Sequence, residues 1–163
     1  MYKNMLVLVL IFALSVVGCL IHLYFDRRPI RAGRLVELIL LYQIVFNVGV
    51  ASLLAFFGLI FLPDIVAEHI GWEKSPFQHE LANANLGYAV LGILAIWIRG
   101  HFWTAIILGV SVWLLGDAIG HLYHGYVLHN HSPGNTGILV YSDIFIPVIL
   151  LTLLVPFLKH YKG

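Results

Sequence analysis

The sequence predicts an all-α integral membrane protein, a bundle of five transmembrane helices. Hydrophobic residues make up 61% of the 163 residues, and the mean hydropathy is +0.94. Charged residues make up only 10%, whereas a soluble domain averages about 25%. Five apolar runs are each long enough to cross a hydrocarbon core of roughly 30 Å. We therefore expect residues 1–163 to form a single transmembrane domain without a soluble catalytic part.

The five apolar runs are separated by turn signals. We expect the first run to be a retained helix, not a cleaved signal, because it continues past Cys19 to Phe25. Pro63 ends the second run. Ser75 can cap the third helix, Pro76 suits its first position, and Gln78 completes a capping box. The predicted helices cover residues 5–25, 35–62, 76–98, 102–127 and 138–158.

Other features narrow the class of protein. The net charge of +1 gives no indication of nucleic-acid binding. Cys19 is the single cysteine, which excludes an intrachain disulfide and a cysteine metal knot. Residues 64–74 are typical of an interfacial loop or short helix, with Trp72 at headgroup depth. Gln43 and Asn47, one helical turn apart, favour an interhelical hydrogen-bond pair, with the lining of a site as the alternative.

The distribution of basic residues predicts the orientation in the cytoplasmic, or inner, membrane. Cytoplasmic loops carry an excess of Lys and Arg. If the first loop is cytoplasmic, the five-helix arrangement also places most of the other Lys and Arg residues on the cytoplasmic side. The two exceptions are Lys3 and Lys74. The inside residues are Arg27, Arg28, Arg31, Arg34, Arg99, Lys159 and Lys162. The N-terminus is therefore predicted outside and the C-terminus inside.

Polar residues on three of the predicted helices share one depth. On the fourth helix Asp117, His121 and His124 are spaced i, i+4 and i+7, which places them on one face. With a rise of about 1.5 Å per residue, Asp117, Asn85 and Asp143 lie roughly 8–15 Å below the outer surface. Ionisable residues inside a membrane are costly and mark functional sites by default. We therefore predict a polar pocket that opens outward.

A metal site is the first chemistry that this pocket indicates. Carboxylates and imidazoles at helical spacing bind divalent zinc, iron or manganese in helical bundles. The predicted ligands are Glu80, Asp117, His121 and His124. The predicted further ligands, or hydrogen-bond partners of the ligands, are Asn83, Asn85, Asn135 and Asp143.

Two other interpretations of the pocket remain open from the sequence. A histidine and a carboxylate in a low-dielectric pocket can act without a metal, as an acid–base pair on an apolar substrate. Alternatively, the network is structural and the chain is an accessory subunit of a larger membrane complex. The sequence does not decide whether the protein is an enzyme. The expected partners are the lipid bilayer and either further copies of the chain or a larger complex, with no nucleic acid.

Several separate motifs resemble an uncharacterised family of small bacterial and archaeal multi-helix membrane proteins, classed as a domain of unknown function. The likeness covers roughly half of the chain and implies no known reaction. The motifs are residues 75–80 (SPFQHE), 82–87 (ANANLG), 116–121 (GDAIGH), 133–137 (PGNTG) and 141–147 (YSDIFIP). The positions that match the family's signature are Glu80, Asn85, Asp117, His121, Asn135 and Asp143.

Overall fold

The computed structural model describes the backbone of residues 2–161 and the side chains of residues 6–161. Within this part of the chain the regular elements are all helices. They are α1 (Tyr2–Phe25), α2 (Ala32–Gln43), a π-helical segment (Ile44–Val50), α3 (Ala51–Phe61), α4 (Pro63–Ile70), α5 (Phe77–Leu94), α6 (His101–Tyr126), α7 (Pro133–Thr136) and α8 (Ile138–His160).

The observed helices agree with the predicted ones, with differences at their ends. α2, the π-helical segment and α3 form one continuous helical stretch, which corresponds to the second predicted helix. α5 ends at Leu94, before the predicted Ile98, because Ile96 and Trp97 donate to carbonyl groups three residues back in tighter turns. The short helix predicted as one option for residues 64–74 is α4. It ends at Ile70, and the φ of 73° at the following Gly71 supplies the left-handed conformation that closes many helices.

One end of the bundle, here called the arginine end, gathers the start of α2 and the end of α8. Gly33 in the first turn of α2 lies directly against His160 at the end of α8. Arg99, in the turn between α5 and α6, forms an ion pair with Glu37 of α2. The described basic residues at this end are Arg27, Arg28, Arg31, Arg34, Arg99 and Lys159.

The opposite end, here called the Trp72 end, is closed by the connections after α4 and α6. The Asn130 side-chain amide donates to the carbonyl oxygens of Ile70 and Gly71, both at 3.1 Å. Gly134 of α7 lies against His69 of α4. These contacts hold the two connections together over the ends of α6 and α8.

Four helical stretches in the described residues are long and apolar enough to cross a membrane. α5 does not belong to this set, because its first half is rich in amide, imidazole and carboxylate side chains and its mean hydropathy is correspondingly lower. The four candidate spans are Leu6–Phe25, Ala32–Phe61, His101–Tyr126 and Pro133–His160. The protein is thus a helical membrane protein by composition and helix length.

The apolar core lies in the half of the bundle nearer the arginine end, where α2, α6 and α8 meet. Trp103 of α6 is fully buried, and its ring stacks on Phe157 of α8 with ring centroids 5.1 Å apart. Its indole N–H donates to the carbonyl oxygen of Ala95 at 2.9 Å, so the one polar atom of this ring is satisfied. The core therefore fixes α6 against α8, the pair of helices that carries the candidate site.

Gln43 and Asn47 form an interhelical hydrogen-bond network, as the sequence predicts. The Gln43 amide donates to Ser15 Oγ of α1 at 3.0 Å, and the Asn47 amide donates to Gln43 Oε1 at 2.8 Å. Ser15 Oγ in turn donates to the carbonyl oxygen of Phe12 at 2.6 Å. The network satisfies polar groups that have no water available to them in a bilayer. It ties α1 to the central helical stretch.

α5 approaches the π-helical segment so closely that only glycine fits at the crossing. A Cβ atom added at Gly92 would lie 2.5 Å from the backbone Cα of Gly49, whereas one added at Gly87 would meet nothing within 4 Å. We expect Gly92→Ala to lower the free energy of unfolding by about 1–3 kcal/mol through overpacking. Gly87→Ala should leave it unchanged or raise it by up to about 1 kcal/mol. Denaturation in mixed detergent micelles measures both; equal effects would contradict this close approach.

Candidate functional site

The candidate site lies near the Trp72 end, between the second half of α6 and the first turns of α8. α6 packs along α8, and the short α7 joins them. His121 of α6 and Asn135 of α7 are buried, at 8% and 0% exposed. Two buried polar side chains at this depth of a membrane bundle require partners, because water is not available to satisfy them.

His121 is held in one orientation by Asn135. The Asn135 side-chain Nδ2 donates to the carbonyl oxygen of Asn130 at 2.7 Å and lies 3.5 Å from that of His121. Its Oδ1 therefore faces the imidazole, and lies 2.9 Å from His121 Nδ1. An amide oxygen only accepts, so Nδ1 carries the proton of the neutral ring. The lone pair of the neutral imidazole is then on Nε2.

That Nε2 atom faces a carboxylate. Asp143 of α8 has its Oδ2 at 3.9 Å from His121 Nε2, which is too long for a hydrogen bond and makes an ion pair only when the ring is protonated. The side chains of His121 and Asp143 are only 10% and 13% exposed. Ser142 Oγ donates to the carbonyl oxygen of Leu139 at 2.7 Å and lies 3.5 Å from Asp143 Oδ1.

Asp117 completes this polar group, one helical turn before His121 on the same face of α6. The i, i+4 spacing puts the carboxylate of Asp117 beside the His121 side chain. We call Asp117, His121, Asn135 and Asp143 the polar cluster. It joins two carboxylates and one imidazole, groups that exchange protons, bind cations and accept hydrogen bonds.

Trp72 covers the polar cluster on the side that faces the Trp72 end. The indole ring stacks on His121 with centroids 5.8 Å apart and an interplanar angle of 23°. It also lies 5.1 Å from the ring of His124. Asn130 fixes this cover, because its amide bonds the carbonyl groups that immediately precede Trp72.

The structure brings some of the predicted site residues together and separates others. His121 lies next to Asn135 and Asp143, and His124 lies beside them under Trp72. Asp117 is one helical turn before His121 on α6. Asn85 is buried, but its amide donates at 2.9 Å to the carbonyl oxygen of Leu81 within α5. Glu80 and Asn83 are exposed on α5, with no hydrogen bond or ion pair to any described side chain.

The reason for this separation is the position of α5 in the bundle. α5 packs mainly on α3 and the π-helical segment, and touches α6 only slightly. Its contact with α6 is at Tyr88, whose ring stacks on Trp113 with centroids 4.9 Å apart. Beyond this contact, Gly87 of α5 and Gly116 and Gly120 of α6 face open space. Between Tyr88 and the Trp72 end, α5 and α6 therefore diverge, which keeps Glu80 and Asn83 away from the polar cluster.

A preformed metal centre is not visible in the part of the chain that the structure describes. No group of three or more His, Cys, Asp or Glu side chains there is arranged to hold a metal ion. A shallow cavity of about 460 Å³ lies at the arginine end, next to Tyr42.

Two residues of this site are not predicted by the sequence. The sequence assigns Trp72 to headgroup depth and Asn130 to a polar loop. Asn130 has one feature that a sequence can reveal, which is the tendency of Asn to form a turn with the residue two positions later. In the structure its Oδ1 accepts from the N–H of Ser132 at 3.1 Å, which is such a turn. That signal predicts a turn, but not the contact with the carbonyl groups of Ile70 and Gly71.

Comparison with known proteins agrees with the resemblance that the motifs indicated. No curated protein and no solved structure matches the chain. The model of a family of unknown function, DUF6790, matches residues 5–162. Because this match spans almost the whole sequence, the chain belongs to the DUF6790 family.

Proposed function

We propose that this protein is an integral membrane protein that binds a metal ion or a small polar ligand at His121, Asp143 and Asp117. The observation that carries the proposal is the fixed orientation of His121. Its Nδ1 is bonded to Asn135, so the lone pair of the neutral ring is directed at Asp143. Histidines that bind metals are commonly oriented in this way, by a carbonyl group on the other ring nitrogen.

The one measured separation between proposed ligand atoms, from His121 Nε2 to Asp143 Oδ2, supports an ion that draws the two side chains together. Ligand atoms about 2.0–2.2 Å from a tetrahedral zinc are roughly 3.3 Å apart. His121 Nε2 and Asp143 Oδ2 are 3.9 Å apart, so a shift of less than about 1 Å would let both bind. Asp117 is the third proposed ligand. Glu80 lies on α5 and His124 packs under Trp72, so we leave both outside the proposed set.

We also propose that α5 is a fifth membrane span. It runs between the arginine end and the Trp72 end beside α3, and its backbone touches the π-helical segment at Gly92. Its polar half is at the Trp72 end, where headgroups and water are near. The excess of basic residues at the arginine end supports a cytoplasmic position for that end. Lys162 and the Lys3 side chain lie outside the described residues.

A structural role is the second candidate, favoured by the internal bonding of Asn135. Both its amide and its oxygen are used within the protein. In that case the polar cluster would specify packing, and the exposed Glu80 and Asn83 of α5 would suit an accessory subunit that contacts other membrane proteins.

The metal hypothesis predicts roughly one transition-metal ion per chain in detergent-purified protein, measured by elemental analysis. His121→Ala and Asp143→Asn should lose the ion, because each removes a proposed ligand. Addition of Zn²⁺ should raise the melting temperature of the wild-type protein but not that of His121→Ala.

His79→Ala is the matched control, since His79 is an exposed histidine of α5 outside the polar cluster. It should retain the metal and the response to Zn²⁺. Absence of metal and of any Zn²⁺ response in the wild-type protein would exclude the metal, leaving a small polar ligand or the structural role.

Asn135→Ala should destabilise the fold in either case. It leaves the N–H of His121 Nδ1 and the carbonyl oxygen of Asn130 without their partner, and a buried unsatisfied group costs about 1–3 kcal/mol. Asn83→Ala, at an exposed asparagine of α5, should have little effect. Thermal unfolding in detergent measures both variants. Equal stability of Asn135→Ala and the wild-type protein would show that this bond does not hold the cluster.

The cover over the polar cluster should control access from the Trp72 end. Trp72→Ala should raise the rate at which diethyl pyrocarbonate modifies His121 several-fold, because the indole ring stacks on that imidazole. Peptide mass spectrometry measures the modified fraction. Trp97→Ala removes an exposed tryptophan far along the bundle and should not change the rate. An unchanged rate in Trp72→Ala would mean that reagents reach His121 by another route.

A further inference from the structure

A second polar feature lies at the arginine end, where α1 ends against α2. It is a shallow, open groove of about 460 Å³. One wall is apolar and consists of Gly18, Ile21 and Phe25 of α1. The other wall is polar and includes His22 and Tyr42, whose imidazole Nδ1 and hydroxyl oxygen are 3.2 Å apart. The groove is thus amphipathic along its length.

Asp26 and Arg28 form the mouth of this groove. The Asp26 carboxylate accepts from the backbone N–H of Arg28 at 3.1 Å and from its Nε at 3.2 Å, and it pairs with Arg34. Desolvation would raise the pKa of Asp26, but the bonds from Arg28 and Arg34 outweigh it and lower the pKa to about 2. Asp26 is therefore ionised at any ordinary pH and already neutralised by its partners.

Positive charge remains in excess around the mouth. Arg27 and Arg31 are exposed and form no ion pair with any side chain that the structure describes. The nearby Glu37 is paired with Arg99. Arg28 is 71% exposed beside the groove, so its guanidinium can turn towards a bound anion. The groove therefore favours a negatively charged occupant.

The rim of the groove is apolar on the side that faces the bilayer. Ile21, Tyr24 and Phe25 are 53%, 83% and 74% exposed at the end of a candidate membrane span. Ile30 is exposed within the arginine-rich loop itself. Exposed aromatic and basic side chains together at the end of a span are typical of the membrane–water interface.

From these features we infer that the groove between α1 and α2 binds one anionic phospholipid. Its phosphate lies at Arg28 and His22, with Arg27 and Arg31 supplying further positive charge. An acyl chain lies along the exposed side chains of Phe25 and Ile21 towards the hydrocarbon. A free soluble anion would gain nothing from the apolar wall, and a neutral lipid would leave the excess of arginine without a partner. This site is at the opposite end of the bundle from the polar cluster and is independent of its function.

Lipid binding to the full-length protein in detergent tests this inference. Native mass spectrometry with added phosphatidylglycerol should show one bound lipid per chain at low lipid concentration, and phosphatidylcholine should bind much more weakly. Arg27→Gln/Arg31→Gln should weaken phosphatidylglycerol binding by roughly 30-fold, since each basic side chain near an anionic lipid contributes to its retention. Arg28→Gln removes one such side chain and should weaken binding by roughly fivefold.

Arg27 and Arg31 form no described ion pair, so the double variant tests the inference even if Arg28→Gln fails to fold. Lys74→Gln, which removes a basic residue at the Trp72 end, is the matched control and should leave binding unchanged. Equal binding of the two lipids, unchanged binding by the double variant, or displacement by millimolar inorganic phosphate would each overturn the inference.

Discussion

In a bilayer, a polar side chain that finds no partner inside the protein remains unsatisfied, and this constraint accounts for the bonds that His121, Asn135 and Gln43 form. The hydrogen bond between His121 and Asn135 is the clearest case. It joins α6 to the connection before α8, and it also determines which ring nitrogen of His121 is left to face Asp143. This hydrogen bond therefore stabilises the packing of the helices and also orients a side chain of the candidate site. Because it does both, measurements of stability alone do not separate a functional role from a structural one.

The two ends of the bundle differ in charge and in construction. At the arginine end, Asp26 and Glu37 are both paired with arginines, and a surplus of positive charge remains. At the Trp72 end, carboxylates are more numerous, and the surface is built from connections held by side-chain to backbone bonds. Such bonds position backbone precisely without a large apolar core. The core lies towards the arginine end, so the polar cluster depends on α7 and Asn130 for its cover.

The sequence predicts the features that depend on the geometry of a single helix. It does not predict the features that depend on how two helices pack against each other. The spacing of Asp117 and His121 places them on one face in any α-helix, so their proximity was predictable. The depth of each residue along the membrane normal was also predictable, and it placed Asp143 at the same depth as Asp117. The rotation of α5 and the helices that it contacts were not predictable, since they depend on packing at Gly92 and Gly49. Trp72 reaches His121 through a loop, for which no periodic pattern exists.

The position of α5 raises a question of how so polar a helix is held in a membrane bundle. Its first half carries Glu80 and Asn83 on an exposed face, and its hydropathy alone is too low for a candidate span. Its second half, however, contacts the π-helical segment backbone to backbone at Gly92. Close packing between helices is a main source of association in a bilayer, because lipid is as apolar as the side chains. As the proposed fifth span, α5 would be retained by its neighbours more than by lipid.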